Sequence, residues 1–130
     1  MKSIYLTFIL LFLFTLPMKA QTQPEKIDGD FIHMVFFWLK NPDNQSDRDA
    51  FKKALTKFIE TNPQVVKSHI GQPAATDRPV IDSSYTFSLV VTFPDLETQN
   101  AYQTDETHIL FIEEAKELWD KVMVYDSTGL

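Results

Sequence analysis

Residues 31–39, FIHMVFFWL, decide how the rest of the chain is read. Alternate positions put Phe31, His33, Val35, Phe37 and Leu39 on one side of an extended segment, and Ile32, Met34, Phe36 and Trp38 on the other. Both sides are apolar, so this is a strand that needs two covers.

Helices downstream supply the first cover. Asn41–Asn44 contains Pro42 and breaks the strand, after which Ser46 or Asp47 offers an oxygen to cap a helix running to about Thr61. Phe51, Leu55, Phe58 and Ile59 form its inward stripe, with Lys52, Lys53, Lys57 and Glu60 outside. Asn62 and Pro63 stop it, and Val65–Ile70 reads as a second strand carrying a solvated His69. A long connection, Gly71–Ser84, leads to a third strand, Tyr85–Phe93, with nearly clean alternation. Pro94 ends this strand and Asp95 caps a short helix to Tyr102. Gln103–Glu106 interrupts, and a longer helix is predicted from Thr107 to Lys121. Its stripe is His108, Ile112, Ala115 and Trp119, joined by Phe111 and Leu118, with Glu117 and Lys121 placed for an i, i+4 pair. Val122–Asp126 then closes the domain as a fourth strand, and Ser127–Leu130 is a tail.

Strand, helix, strand, strand, helix, helix, strand is the order of a ferredoxin-like α+β sandwich: a four-stranded antiparallel sheet with its helices on one face. The economical cover for the other face is the sheet of a second copy, giving a two-fold dimer.

Upstream of residue 31 the character changes. Lys2, an apolar run from Ile4 to Leu16, and Ala20 before a polar stretch form an export signal over residues 1–20. The run is shorter than the roughly 20 residues that span a bilayer, and no cysteine follows it to take a lipid. The expectation is therefore a periplasmic or secreted protein with no membrane attachment after cleavage. Residues 21–30, QTQPEKIDGD, read as a linker, and residues 31–130 as one domain.

Charge narrows the function classes. The signal contains Lys2 and Lys19 of the twelve basic residues, so the mature chain carries ten against eighteen acidic ones, a formal charge of −8. Without a basic cluster, nucleic acid is not an expected partner. His33, His69 and His108 lack close metal-ligand spacing, so no metal is expected. Glycines at 29, 71 and 129 form no phosphate loop.

Tyr102 and His108 carry the chemistry that can be read. They stand at the facing ends of two helical segments, a phenol and an imidazole suited to proton transfer beside a carbonyl. Near a helix N-terminus the imidazolium is disfavoured, which keeps His108 available as a base. The alternative is structural, with His108 a buried, hydrogen-bonded helix residue and Tyr102 a core aromatic.

The segments Ile32-His33-Met34-Val35-Phe36-Phe37, Ser84-Tyr85-Thr86-Phe87-Ser88-Leu89, Ala101-Tyr102 followed by His108-Ile109-Leu110-Phe111, and Trp119 leading to Val124-Tyr125-Asp126 resemble the stress-responsive dimeric A/B barrel (Dabb) family. The likeness extends from Phe31 to about Asp126. It implies a dimeric α/β barrel with a mostly apolar cavity in each subunit. Some plant members are polyketide cyclases that use a Tyr and a His and no cofactor. By this resemblance Tyr102 and His108 match the catalytic positions and His33 a cavity histidine, with Val35, Phe37 and Phe87 as further lining. Two departures stand out: Phe87 replaces a second cavity histidine of the cyclases, and Asp105 a histidine found in many members. The resemblance implies either a stress-type module binding a small apolar or aromatic molecule, or a cofactor-independent cyclase, isomerase or monooxygenase using His108 and Tyr102.

Overall fold

The computed structural model describes residues 24–130. The expected export signal lies outside them, as does the start of the 21–30 linker. The elements are β1 (Phe31–Leu39), α1 (Gln45–Thr61), β2 (Lys67–Gly71), β3 (Phe87–Phe93), α2 (Leu96–Thr104), α3 (Glu106–Ala115) and β4 (Trp119–Thr128). The strands form one antiparallel sheet in the order β2-β3-β1-β4. This is the ferredoxin-like α+β fold, with β1 central as its double apolar character requires.

The odd-numbered face of β1 is the core face. Phe31, His33, Val35, Phe37 and Leu39 are all buried there, whereas Ile32, Met34, Phe36 and Trp38 on the other face are half-buried. Phe37 meets Phe51 of α1 edge to face at 5.0 Å between ring centroids, and Phe58 stacks on Phe111 of α3 at 5.1 Å. Each such side chain taken fully out of water contributes about 1.5–3 kcal/mol, and the aromatic stack joins α1 to α3 over the sheet.

Local hydrogen bonds reset several expected boundaries. The cap of α1 is Asn44, whose side chain accepts from Asp47 N, so the helix begins before Ser46. After α1 the Asn62 side chain accepts from both Gln64 N and Val65 N, holding a turn that delays β2 to Lys67. The regular part of β3 starts at Phe87, because Thr86 uses its hydroxyl to receive Leu39 N.

The largest difference concerns the last helix. It ends at Ala115, and Trp119 is the first residue of β4. Trp119 pairs with Leu39 past an irregularity in register between Trp38 and Leu39, and its ring lies 5.5 Å from that of Phe37. A strand thus delivers to the core a side chain that helical spacing had also placed there. The Glu117–Lys121 helical pair does not form. Glu117 instead receives Lys40 Nζ, and the Lys121 ammonium lies over the Trp38 ring on the open face. Ile112 is correspondingly half out of the core, at 36% exposure. Among the described residues no helix is long and apolar enough to cross a membrane.

Candidate functional site

Between the helices and the β1/β4 half of the sheet lies a cavity of about 240 Å³. His33, Val35 and Phe37 of β1 form its floor with Val122, Val124 and Asp126 of β4. Tyr102, Gln103 and His108 close it from the helical side, and Phe58, Phe111 and Trp119 complete an apolar wall.

The juxtaposition of Tyr102 and His108 is produced by Asp105. This residue ends α2, with its N–H donating to Tyr102 O, and also caps α3, where its carboxylate accepts from Thr107 N at 2.9 Å. The same carboxylate receives the Thr107 hydroxyl and Gln64 Nε2, and these hydrogen bonds hold it below the usual carboxylate range. Asn62, buried at the end of α1, donates to Thr107 Oγ1 and fastens the junction to the rest of the fold. The chain turns so sharply here that residues 102 and 108 bring their rings to 4.8 Å between centroids.

The His108 ring is oriented by the same turn. Its Nδ1 lies 3.1 Å from the carbonyl oxygen of Gln103, which can only accept, so Nδ1 carries the proton and Nε2 keeps a free lone pair. The pKa of His108 lies below 6.5, chiefly because burial disfavours the imidazolium. The Gln103 carbonyl opposes this shift, His33 adds to it, and Asp105 partly offsets it. His108 is thereby a neutral base.

Tyr102 is 1% exposed and packed against Phe93, Phe58 and His33, with the His33 ring edge-on at 5.7 Å. Burial, and then the charge of Asp126, push its phenol well above the ordinary value, which keeps it a neutral hydrogen-bond donor. His33 faces Asp126 directly across the β1/β4 ladder, with 2.6 Å between Nδ1 and Oδ1.

Of the residues singled out in the sequence, His33, Val35, Phe37, Tyr102 and His108 share this one cavity. Phe87 is elsewhere. Its ring stacks on Phe51 at 5.2 Å with the Arg48 guanidinium above it, so it is a core residue beside α1 and not part of the lining. His69 is exposed on β2. Sequence reasoning missed Asp126, Gln103 and the role of Val122 and Val124. The available signal for Asp126 was its phase with the two valines, which places all three on one side of a strand. Among the described residues no group of three potential metal ligands converges.

A four-stranded antiparallel sheet in the order β2-β3-β1-β4, with a cavity between it and the helices, places the chain among the small ferredoxin-like α+β proteins. Residues 31–128 match the Stress responsive A/B Barrel Domain model, and the chain belongs to that family. A search of the curated proteins gave no match. Among solved structures, a Dabb family protein with a ferredoxin-like fold from Mesorhizobium loti is 21% identical, with TM-score 0.64 over 77% of this chain and 96% of that one. A dimeric ferredoxin-like protein of unknown function from Thermobifida fusca is 16% identical, with TM-score 0.62 over 83% and 99%. A hydroxynitrile lyase from Passiflora edulis is 18% identical, with TM-score 0.62 over 77% and 93%. At these identities the likeness is one of fold.

Proposed function

We propose that the protein is an exported homodimer whose cavity takes a small apolar or aromatic carbonyl compound and moves a proton on it. The observation that carries this reading is the meeting of Tyr102 and His108 in the same cavity as the His33–Asp126 pair. Structural histidines and tyrosines facing separate surroundings would have favoured a plain binding module. Here a neutral donor and a neutral base line one apolar space.

The chemistry follows from the two groups. The Tyr102 hydroxyl donates to the carbonyl oxygen and stabilises the charge that develops there, while His108 Nε2 takes a proton from the adjacent carbon. The products are an enolate held by Tyr102 and an imidazolium whose Nδ1–H remains on the Gln103 carbonyl. Return of the proton to carbon gives exchange or isomerisation, and attack of the enolate carbon on a second carbonyl of the same molecule, whose oxygen then takes the proton back from the imidazolium, gives cyclisation. That this fold houses a hydroxynitrile lyase in Passiflora edulis supports a catalytic use of such a cavity.

Export rests on residues 1–20 of the sequence, and dimerisation on the half-buried apolar face of β1 together with the dimeric description of the Thermobifida fusca neighbour. Hydrogen–deuterium exchange at the carbon next to the carbonyl of acetophenone and phenylacetone, followed by NMR in D₂O, tests the reaction. The wild-type protein is expected to accelerate exchange, and His108→Ala to lose about 10²-fold of that acceleration. Exchange no faster than in buffer for both ketones would refute the catalytic reading. Recovery of mature protein from the cell envelope or medium with a new N-terminus near Gln21 checks export.

A further inference from the structure

We infer that the cavity selects uncharged ligands and excludes carboxylates and phosphate esters, with Asp126 and the apolar walls as the selecting features. This deepens the reading given above and rests on it.

The fixed formal charge at the cavity is that of Asp126, on the side formed by β4. Among the described residues that line the cavity there is neither a lysine nor an arginine. With His108 neutral and His33 held against Asp126 at 2.6 Å, the lining carries no positive charge in excess of that carboxylate. An anion entering this space would shed water beside a carboxylate, against valine, phenylalanine and tryptophan, and find no cation in return. Its hydrogen-bonding options are equally poor. Nε2 of His108 is an acceptor, and the donors among the lining residues, the Tyr102 phenol, the Gln103 amide and the Trp119 indole N–H, are all neutral and offset a carboxylate's lost hydration less than a cation would. A ketone or aldehyde oxygen asks for only one or two donors, which Tyr102 begins to supply. The surplus of acidic residues over the whole chain works in the same direction by lowering the local concentration of anions.

Size adds a second limit. About 240 Å³ is below the range of roughly 300–1,000 Å³ that holds drug-sized molecules, so the part of a ligand that it encloses is a single ring or a short branched chain. A substrate presented as a bulky anionic thioester or phosphate conjugate does not fit these terms. The free carbonyl compound does.

Methyl ketones and carboxylates of one skeleton differ only in CH₃ against O⁻, which makes them matched probes. We would measure binding at pH 7 of acetophenone against benzoate, phenylacetone against phenylacetate, and cyclohexyl methyl ketone against cyclohexanecarboxylate, by titration with NMR detection. Each ketone is expected to bind at least tenfold more tightly than its acid. In Val124→Lys, which sets an ammonium at an exposed lining position, the ratio should fall by at least tenfold. Carboxylates that bind wild-type protein as tightly as the ketones would overturn the inference while leaving a ligand cavity in place. Failure of all six compounds to bind would remove the cavity reading itself, and the selectivity with it.

Discussion

His33 on β1 and Asp126 on β4 occupy one rung of the sheet, and Nδ1 of the first lies 2.6 Å from Oδ1 of the second. The contact exists only in this register. A slip of one residue would turn Asp126 to the open face and leave a 5% exposed imidazole with no partner. Register and cavity chemistry are thus tied together in the strand that closes the domain.

Removing the carboxylate measures that tie. Asp126→Ala leaves buried Nδ1 unsatisfied, but the Asp126 side chain is 44% exposed and water softens the loss. The expected destabilisation is about 1 kcal/mol, with Asp126→Asn closer to wild type because its amide oxygen still accepts. Urea unfolding of the three proteins decides it, and equal midpoints with equal slopes would count against the pair.

Tyr102 separates packing from chemistry. Its ring is wedged among Phe58, Phe93 and His33, so Tyr102→Ala should cost about 3–5 kcal/mol. Burial and the Asp126 charge are what perturb the hydroxyl, and neither is a hydrogen bond. Tyr102→Phe should therefore lie within about 0.5 kcal/mol of wild type while losing most of the ketone exchange activity. A phenylalanine variant with full exchange activity would show that the phenol takes no part.

The depressed pKa of His108 sets a pH dependence with a definite sign. In the unfolded chain this histidine protonates near 6.5, and in the folded chain only at lower pH. Above 6.5 both states are neutral and its contribution to stability is complete. As pH falls from 6.5 through the folded value the unfolded state binds the extra proton, and stability declines. Unfolding free energies measured from pH 4.5 to 8 should therefore show a steeper acid-side decline in wild type than in His108→Ala. The acid limb of exchange activity should have its midpoint below 6.5. A midpoint above 6.5 would assign the base to another group.

The legible parts of this molecule were those with a local cause. Alternation in Phe31–Leu39 fixed the central strand and its two apolar faces, and Asp95 announced the start of α2 correctly. Tyr102 and His108 could be paired from sequence because the polar break Gln103–Glu106 separates two helical segments that they end and begin; that Asp105 makes the break by capping α3 is visible only in the structure. What was not legible depends on partners distant in the chain. Ala115 and Trp119 are four apart and read as helix. Only the ladder pairing with Leu39 makes Trp119 a strand residue, and it sets the indole beside the Phe37 ring. Asp126 looked like a strand terminus, since nothing local reveals that His33 stands opposite. Family position puts Phe87 in the cavity, yet the stacked ring of Phe51 and the guanidinium of Arg48 hold it in the core.

Asp105 offers a test of the junction itself. Its carboxylate caps α3 and accepts Gln64 Nε2 at 3.0 Å, so Asp105→Ala should cost about 1–2 kcal/mol. The turn that presents the Gln103 carbonyl to His108 would loosen, and exchange activity should fall at least tenfold even though Asp105 touches no substrate. Asp105→Asn, which keeps a capping oxygen, should recover most of both. An alanine variant that loses stability but retains full activity would show that His108 is oriented without the junction.

The open face of the sheet makes the last prediction. Phe36 sits between Tyr85, at 4.9 Å, and Tyr125, at 6.1 Å, in a cluster that is half-buried in one chain, and Tyr125 is 53% exposed. An isolated protein rarely leaves such an aromatic face to water, and a second copy laid on it buries both at once. A stable interface takes about 800 Å² from each partner, which a four-stranded sheet face can provide. Sedimentation at micromolar concentration should therefore give a dimer for wild type. Phe36→Asp sets a carboxylate from each copy into this contact and should give a monomer. Because Phe36 lies outside the core under the helices, the monomer should keep its circular dichroism spectrum. Tyr125→Glu, at a more exposed position of the same face, should weaken the dimer by at least tenfold without unfolding it. A wild-type monomer, or a Phe36→Asp variant that remains a dimer, would move the contact to a different surface.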